Sequence, residues 1–562
     1  MKKIFGIDLG TTYSCIAYID EDNKPVVLKN SEGELTTPSV VHFETPKDVH
    51  VGSIAKESAE LYPNQVVSFI KRHMGEEDYS LNINDVDYKP EDISSYILKK
   101  LVNDAKDELS MEGKLDDGED IKDVVITCPA YFGIAERKAT ETAGKIAGLN
   151  VLSIINEPTA AAIDYGVTEA EQEKNVLVYD LGGGTFDVTV INIKPGQIKV
   201  ICTGGDKNLG GKDWDDRILM YLQGEYQAQT GTDDEILSDP ETLQQLSIQA
   251  ERAKKLLSAK PKAPIPVNYD GNHARVVLTR EDFEANTKDL LDRTVDYTKD
   301  IFKEAEKKGV KQSDISEILL VGGSSKMPQV RNRLKQEFNM DIKMFDPDEA
   351  VAKGAAIYAN NMQKYNDMIQ KIADATGKDA DEVKENIDSG KLDISEEAKK
   401  ANITTTPGES HLMLGGAQKI INVSSRSFGI VVTIDQAGTQ KIANLILKND
   451  ELPANNTQTF YPQYDNQQNV LLQVYESLTS DGQIDMDMGK EVGKAELTLA
   501  PNTPRSTEIK ITFKLDNEGL LSVHAEEAMT GKKIDATFQT KNAMSQDEVS
   551  NAIRRSNDSS VD

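Results

Sequence analysis

Two short segments of the chain combine an aspartate with a glycine- and threonine-rich turn between apolar runs. The first, residues 4–12, reads IFGIDLGTT, and the second, residues 176–187, reads VLVYDLGGGTFD. Each has the pattern of a strand, a tight turn and a second strand. Glycines let the turn backbone bring its N–H groups to phosphate oxygens, and Asp8 and Asp180 can hold a divalent cation directly or through water. Two such hairpins predict two similar units that close on one nucleotide.

A third glycine turn strengthens this interpretation, because a single turn of this kind is common in proteins. It reads LVGGSS at residues 320–325. The three turns together resemble the actin, sugar kinase and heat-shock ATPase superfamily, in which a Gly-Gly turn contacts adenosine. Further motifs occur in the order found in DnaK-type seventy-kilodalton heat-shock chaperones. They are residues 4–14, FIKR at 69–72, PAYF at 129–132, INEPTAAA at 155–162, residues 179–187 and DPDEAVA at 346–352. The resemblance is dense over 1–360 and looser over 418–545.

The resemblance implies an ATP/ADP site with Mg²⁺, and K⁺ is a further candidate cofactor. Lys71 would reach the γ-phosphate and the attacking water, where negative charge develops in the transition state. The residues that would orient this water are Glu157, Asp187 and Thr185. The residues that would hold Mg²⁺ through water are Asp8 and Asp180. The other implied nucleotide contacts are Thr11, Thr12, Tyr13, Gly182, Gly183, Gly184, Glu251, Lys254, Ser258, Gly322, Gly323, Lys326 and Asp348.

Some of these assignments depend almost entirely on the resemblance. Glu251, Lys254 and Ser258 have helical spacing, which is also typical of a solvated helix face. Lys326 stands where the family usually has an arginine that stacks on adenine. Lysine keeps the charge but lacks the planar group, so we expect weaker nucleotide affinity. A proline–arginine pair that couples γ-phosphate sensing to the domain interface is matched by Pro129 and Arg137.

Length and charge limit the possible functions. A chain of 562 residues is too long for one core and predicts several domains. The formal net charge of -30 opposes binding to nucleic acid or anionic membranes, which requires a basic face. Three scattered cysteines indicate free thiols in a reducing compartment. The chain enters a strand almost at once, which leaves no room for a signal peptide, so we expect a cytoplasmic protein.

Patterning divides the chain into five parts. Alternating β-rich and amphipathic stretches predict α/β architecture over the first part, and short alternating runs predict an all-β domain after it. The family resemblance implies that these are an α/β actin-like ATPase with two duplicated RNase H-like lobes and an all-β sandwich. The predicted parts are the ATPase at 1–361, an inserted polar helical segment at 362–417, a linker at 418–423, the sandwich at 424–541, and a short helical remnant and tail at 542–562. We expect the polar end of the tail, residues 557–562, to fray.

The all-β part resembles the peptide-binding sandwich of the same family. Its candidate groove residues for an extended apolar peptide are Ile430, Thr433, Phe460, Val470 and Leu472. An extended groove of this kind supplies backbone hydrogen bonds and a central side-chain pocket. The alternative is that these side chains form the ordinary core of the sandwich, because alternation alone does not separate the core from a groove.

Four features depart from the family pattern. The linker, QKIINV at 418–423, has fewer large apolar residues than usual, and Asn422 stands where an aspartate is expected. Ser153 replaces an arginine, and the arginine and the aspartate both serve docking of a J-domain cochaperone. The segment 362–416 looks inserted, and little chain follows the helix start at 546–553 for a lid over bound peptide. We therefore expect poor stimulation by J-domain proteins, a weakly docked linker and fast peptide exchange.

The favoured function is a Mg²⁺-dependent ATPase chaperone that binds unfolded or extended polypeptides. Its possible partners are a J-domain cochaperone and a nucleotide exchange factor. One alternative is a non-cycling, nucleotide-gated binding module whose segment 362–416 recruits a specific partner. A second alternative is a small-molecule kinase on the same ATPase fold, which the C-terminal sandwich argues against.

Overall fold

The computed structural model describes residues 3–115, 119–169, 173–194, 197–388, 391–401, 403, 419–517, 519–538 and 544–562. These residues form a first α/β unit (3–169), a second α/β unit (173–344), a helical segment (350–403) and a β-domain (423–538). A linker strand and a C-terminal segment contact the two α/β units.

The first α/β unit is built on a mixed sheet. Its strands are β1 (Phe5–Asp8), β2 (Tyr13–Ile19), β3 (Pro25–Val27), β4 (Thr37–Pro38), β5 (Val40–Phe43), β6 (Asp48–Val51), β7 (Val66–Ser68), β8 (Leu81–Ile83), β9 (Val86–Tyr88), β10 (Asp123–Cys128) and β11 (Asn150–Asn156). The large sheet has the order β11-β10-β1-β2-β3, with β4 beside β2. A smaller sheet contains β6, β5 and β7. The helices are α1 (Ser53–Ser58), α2 (Pro90–Met111), α3 (Ile134–Ile146) and α4 (Glu157–Glu169).

The second α/β unit repeats the topology of the large sheet. Its strands are β12 (Lys174–Leu181), β13 (Phe186–Lys194), β14 (Gln197–Asp206), β15 (Lys262–Tyr269), β16 (Asn272–Thr279), β17 (Ile315–Val321) and β18 (Asp341–Met344). The sheet order β18-β17-β12-β13-β14 matches the first unit strand for strand, with parallel pairing on one side of β12 and antiparallel pairing on the other. The helices are α5 (Gly211–Thr230), α6 (Pro240–Ala259), α7 (Arg280–Asn286), α8 (Lys288–Lys307) and α9 (Pro328–Phe338).

One long helix joins the two units and continues into the helical segment. Helix α10 (Ala350–Thr376) crosses β1 and α4 so closely that a Cβ at Gly6 or at Gly354 would overlap the facing backbone. The boundary that the sequence placed after residue 361 falls inside this continuous helix. It is followed by α11 (Ala380–Asp388) and α12 (Ile394–Lys400), whose apolar faces pack on Met368 and Ile372 in a small separate core.

The β-domain is a sandwich of two antiparallel sheets. Its strands are β20 (Ser427–Thr433), β21 (Gln440–Ile446), β22 (Ala454–Phe460), β23 (Asn469–Ser477), β24 (Gln483–Ile484), β25 (Gly489–Thr498), β26 (Ile509–Leu515), β27 (Leu521–Glu527) and β28 (Lys533–Phe538). The strand orders are β24-β21-β20-β23-β25 and β22-β26-β27-β28. Alternate residues of both sheets point inward and form one core, as the alternating sequence predicts.

The linker is docked in this structure. Strand β19 (Lys419–Ile421) lies parallel to β14 and becomes the sixth strand of the second unit's sheet, with Ile420 opposite Ile198. Residue 418, the first of the predicted linker, lies outside the described residues. The structure therefore contains the docked arrangement, while the expected weakness of docking stays a prediction.

The C-terminal tail differs from the sequence prediction. Helix α13 (Gln546–Asp558) is followed by strand β29 (Ser560–Val561), which pairs in parallel with β6 of the first unit. The prediction that residues 557–562 fray is therefore wrong, because the tail finds a sheet edge that its polar sequence does not reveal.

One prediction from composition can be compared with the structure. Cys15, Cys128 and Cys202 are all buried free thiols, as their scatter predicts. Over the described ranges, no helix combines the length and the apolar character needed to cross a membrane.

Candidate functional site

The two aspartate hairpins face each other across one cleft. In each unit the hairpin joins two antiparallel strands, and Asp8 pairs with Cys15 as Asp180 pairs with Asp187. The turns interlock, because a Cβ on Gly183 would overlap the Thr12 side chain and a Cβ on Gly184 would overlap Thr11. The glycines of the second turn are therefore required for the close approach of the two units.

The cleft is a cavity of about 380 Å³ between the two units. It collects most of the residues that the resemblance assigned to nucleotide binding. The predicted residues on its wall are Asp8, Thr11, Thr12, Tyr13, Lys71, Glu157, Asp180, Gly182, Gly183, Thr185, Glu251, Lys254, Ser258, Gly322, Gly323, Lys326 and Asp348. Asp187 and Gly184 lie directly behind this wall, each beside a residue that lines it.

The centre of the cleft holds several buried carboxylates and one buried ammonium group. Lys71 is 5% exposed and donates a hydrogen bond to Glu157, the first residue of α4. Burial and the nearby Glu157 raise the pKa of Asp8 to about 7 and the pKa of Asp180 well above its usual value. Burial, and then Glu157, also raise the pKa of Asp187. One lysine does not neutralise this set, so the cleft favours an additional cation.

Hydrated Mg²⁺ fits this donor set. The aspartates Asp8 and Asp180 stand at the ends of facing strands, and Mg²⁺ commonly binds through one or two carboxylates while keeping several waters. Among the described residues, no group of three or more acidic, histidine or cysteine side chains is placed to hold a metal ion directly. A cation between these aspartates would therefore keep much of its water shell and use phosphate oxygens as further ligands.

The backbone just before Lys71 adopts a strained conformation at the start of the turn that carries this lysine. Phe69 has a φ of 61°, a left-handed conformation that is uncommon outside glycine, and it starts the short turn that carries Lys71. In the same turn, the Arg72 guanidinium donates two hydrogen bonds of 2.9 and 2.7 Å to the Gly184 carbonyl. Arg72 also pairs with Asp213 at 2.6 Å. Sequence reasoning gave Arg72 no role, although it lies in the matching motif.

The other side of the cavity is lined by α6 and by the turn after β17. Lys326 pairs with Asp348 across this wall, so the lysine that replaces the expected arginine already has a carboxylate partner. Lys254 donates to the Gly211 carbonyl at 2.8 Å and to Asp215 at 2.6 Å. These contacts fix the wall that the resemblance assigns to a base and a ribose, and the described residues that line it include no arginine.

A polar cluster closes the mouth of the cleft. Glu251 accepts hydrogen bonds from Lys56 of the first unit, from Tyr13 at 3.0 Å and from Lys255 at 2.8 Å. Burial would raise the pKa of Glu251, but the two lysines outweigh it and lower the pKa to about 2. The sequence analysis named Glu251 and Tyr13 but missed both lysines. The spacing of Lys255, four residues after Glu251, was the one available signal.

Removing the lysine that crosses the cleft should speed nucleotide release. In Lys56→Ala the ion pair of Glu251 with the α1 helix is lost, and a partly buried pair of this kind contributes about 1 kcal/mol. We expect roughly fivefold faster release of a fluorescent ADP analogue in stopped flow. The exposed Lys262→Ala is the control, and equal release rates in the two variants would contradict this prediction.

A continuous set of contacts leads from the cleft to the β-domain. The Ala130 N–H donates to Asp187 Oδ1 at 3.1 Å, in the turn that begins at Pro129. At the other end of this turn, the Phe132 carbonyl accepts hydrogen bonds from Arg137 at 3.2 Å and from Ser425 of the β-domain at 3.0 Å. Pro129 begins this turn, and Arg137 bonds the same Phe132 carbonyl that Ser425 contacts. Their coupling of the site to the interface stays a prediction.

A partly buried glutamate, Glu476, is expected to make this interface sensitive to pH. Burial raises the pKa of Glu476, while Arg426 opposes the shift and Glu136 of α3 adds to it. A raised pKa means that Glu476 binds its proton more tightly in the docked form than in the undocked form. Docking should therefore weaken as the pH rises from the ordinary pKa of a glutamate through the raised pKa of Glu476. Interdomain fluorescence energy transfer between pH 4.5 and 8 measures this, and Glu476→Gln should flatten the profile. An unchanged profile in Glu476→Gln would contradict the assignment.

The predicted peptide groove is only partly accessible. Ile430 and Leu472 are 3% and 2% exposed and belong to the sandwich core in this arrangement, where they are not accessible to a peptide, and their groove assignment stays a prediction. Phe460 and Val470 are half-buried at the edge of the same core, and Thr433 is exposed. The alternative, that the candidate residues form the ordinary core of the sandwich, describes Ile430 and Leu472 in this arrangement, because the inward-facing residues of both sheets meet in that core.

The comparison with protein families agrees with this geometry. A sequence model described as Hsp70 protein matches residues 4–372 and 418–562 of the chain. The match covers both α/β units, the linker, the β-domain and the C-terminal segment, and it omits residues 373–417, which include the end of α10 and all of α11 and α12.

Proposed function

The chain belongs to the Hsp70 family, and from this premise we propose that it hydrolyses ATP to control how its β-domain binds extended polypeptide. Members of this family are chaperone-type ATPases that bind nucleotide with Mg²⁺. The observation that carries the proposal is the pair of sheets with the same topology, which bring two aspartate hairpins to one cleft beside the buried Lys71–Glu157 pair. This pairing supports an actin-like ATPase with two duplicated RNase H-like lobes.

Each of the main side chains of the cleft has its own proposed role in hydrolysis. Bound Mg²⁺ would supply charge neutralisation at the phosphates, held through water by Asp8 and Asp180. Lys71, fixed by Glu157, places a cation where negative charge develops during phosphoryl transfer. Asp187 is held by the Ala130 N–H and can accept a hydrogen bond from a water beside the phosphate. Thr185 lies in the turn between β12 and β13, two residues before Asp187.

The same contacts support coupling between hydrolysis and docking. Asp187 touches the Pro129–Phe132 turn, and this turn bonds Arg137 and the β-domain. A change at the phosphate would move the turn and alter the fit of Ser425 and the linker strand. ATP would then favour the docked form seen here, and hydrolysis would release it and change peptide affinity.

The substrate class follows from the β-domain. An extended apolar peptide would bind at the edge of the sandwich core beside Phe460 and Val470, with Thr433 at the rim. Ile430 and Leu472 would join this surface only if the edge opened. A J-domain cochaperone and a nucleotide exchange factor are the partners proposed for the cycle.

The decisive experiment is steady-state ATP turnover with and without an unfolded polypeptide. We expect the polypeptide to stimulate turnover, and Val470→Asp to abolish both stimulation and binding of a labelled apolar peptide. Leu471→Asp, an exposed neighbour on the same strand, is the matched control. Turnover that does not respond to any unfolded polypeptide would instead support the non-cycling binding module.

A further inference from the structure

The C-terminal segment, residues 544–562, lies against the first α/β unit and away from the core of the β-domain that precedes it. Its strand β29 adds to the free edge of β6, with the Ser560 N–H donating to the Lys47 carbonyl at 2.8 Å. The last residue is also held, because the Val51 N–H donates to the Asp562 carbonyl at 2.8 Å. Val561 is 9% exposed and joins the core of the unit.

Helix α13 matches one face of α2 by charge. Lys89 pairs with Glu548 at 2.9 Å near the start of both helices, and Asp92 pairs with Arg555 at 2.7 Å further along. Lys99, two turns later on α2, donates to the Ser559 carbonyl at 3.2 Å and caps the end of α13. Favourable contacts of a cation with helix-terminal carbonyls are the expected use of such a lysine.

The three polar contacts of α13 with α2 define one register of the two helices, because each contact lies at a different position along them. The carboxylate of Asp92 is 4% exposed, so Arg555 neutralises a charge that the first unit buries. Without Arg555, Asp92 would remain a buried carboxylate with one charged partner fewer, an expensive arrangement. Apolar contacts of Met544 and Ala552 with Ile146 of α3 complete the surface.

We propose that residues 544–562 form a clasp that stays bound to the first unit when the linker strand leaves β14. The site for this clasp is the edge of β6 together with the charged face of α2, and its occupant is the chain's own C-terminal segment. By comparison, the linker contributes a strand of three residues, Lys419–Ile421, to the second unit's sheet. The two chain segments that flank the β-domain thus pair with sheets of different units, in addition to the contacts of the β-domain itself.

The clasp limits how far the β-domain can move. Six residue steps separate Phe538, the end of β28, from Met544, and an extended chain spans at most about 3.6 Å per residue. The end of β28 therefore remains within roughly 20 Å of the clasp in every nucleotide state. A segment held on the first unit is also not free to cover a peptide bound to the β-domain. This inference requires neither ATP hydrolysis nor peptide binding, so it can be tested separately from the proposed function.

The first test detaches the linker and follows the clasp by hydrogen exchange in the full chain. Ile420 is half-buried against the core of the second unit, so Ile420→Asp should release the linker strand. We expect fast exchange of residues 419–421 in this variant, while the amides of Ser560 and Asp562 stay protected as in the wild type. Loss of protection at both places together would overturn the proposal, because the clasp would then be part of the same docking event.

The second test removes the clasp's main charge contact. Arg555→Ala should increase exchange of residues 544–562 by about tenfold or more, and the adjacent, exposed Arg554→Ala should leave it unchanged. Val561→Asp gives an independent variant if Arg555→Ala folds poorly. Equal exchange in Arg554→Ala and Arg555→Ala, or a concentration-dependent dimer in which the segment docks on a second copy, would overturn the clasp within one chain.

Discussion

Replacing Lys71 with alanine is expected to reduce ATP hydrolysis about 10²–10³-fold while leaving nucleotide binding nearly intact. The ammonium group is buried and held by Glu157, so it is positioned before the reaction and costs no reorganisation when charge develops. Binding relies on many contacts along the cavity, whereas stabilisation of the transition state relies on this single cation. The measurement is single-turnover hydrolysis of bound ATP, with ADP affinity measured in parallel.

A matched control separates loss of charge from loss of folding. Lys262→Ala removes an exposed lysine of the second unit and should hydrolyse ATP at the wild-type rate. Lys71→Ala should retain cooperative thermal unfolding and should gain stability on adding Mg²⁺ and ADP, because a cation then neutralises the remaining carboxylates. Wild-type turnover by a folded Lys71→Ala variant would show that the catalytic assignment is wrong.

Replacing Gly183 with alanine is expected to weaken ATP binding by roughly 5–150-fold. The added Cβ would lie 2.6 Å from the Thr12 Cβ, and Thr12 is a β-branched residue with little freedom to move aside. Overpacking of this kind costs about 1–3 kcal/mol, which corresponds to that range of affinity. Here the strain falls on the interlocked turns, so it opposes closure of the two units over the phosphates. Isothermal titration with ATP and ADP measures the effect.

Gly224 provides the matched control for this substitution. It lies in helix α5 of the same unit, and a Cβ built there meets no atom within 4 Å. Alanine in a helix interior is favoured over glycine by roughly 0.5–1 kcal/mol, so Gly224→Ala should be as stable as the wild type or more stable, with unchanged affinity. Equal ATP affinity in Gly183→Ala and Gly224→Ala would mean that the two turns do not close on the nucleotide.

The sequence determined the local framework of the site. The aspartate hairpins form as predicted, because an apolar run, a glycine turn and a second β-rich run define a strand pair without help from distant residues. Helix α3 also ends at a local signal, because Gly148, with a φ of 81°, follows it in the left-handed conformation that favours glycine after a helix. Residues such as Lys71 and Glu157 could be assigned because each lies inside a local motif.

The sequence could not determine which side chains meet across units. Lys56 and Arg72 contribute to the cleft through contacts with residues far away in the chain, and Lys255 also reaches the distant Tyr13 hydroxyl at 2.8 Å. Single charged residues look alike in a sequence. The interface partner Glu476 is a similar case, because only packing of the β-domain against the first unit buries its carboxylate.

The C-terminal tail and the predicted groove also show that a local pattern does not determine burial. The predicted groove is more buried than expected, and the tail is more ordered than expected. Alternation predicted an apolar face on β20 and β23, but only the packing of two sheets decided that Ile430 and Leu472 lie in the core. Polarity predicted a frayed tail, but the free edge of β6 and the charged face of α2 give residues 544–562 a fixed place. Local patterns specify strands, turns and helices because their causes are short-range. Tertiary structure decides burial and partners, since these depend on surfaces that exist only after folding.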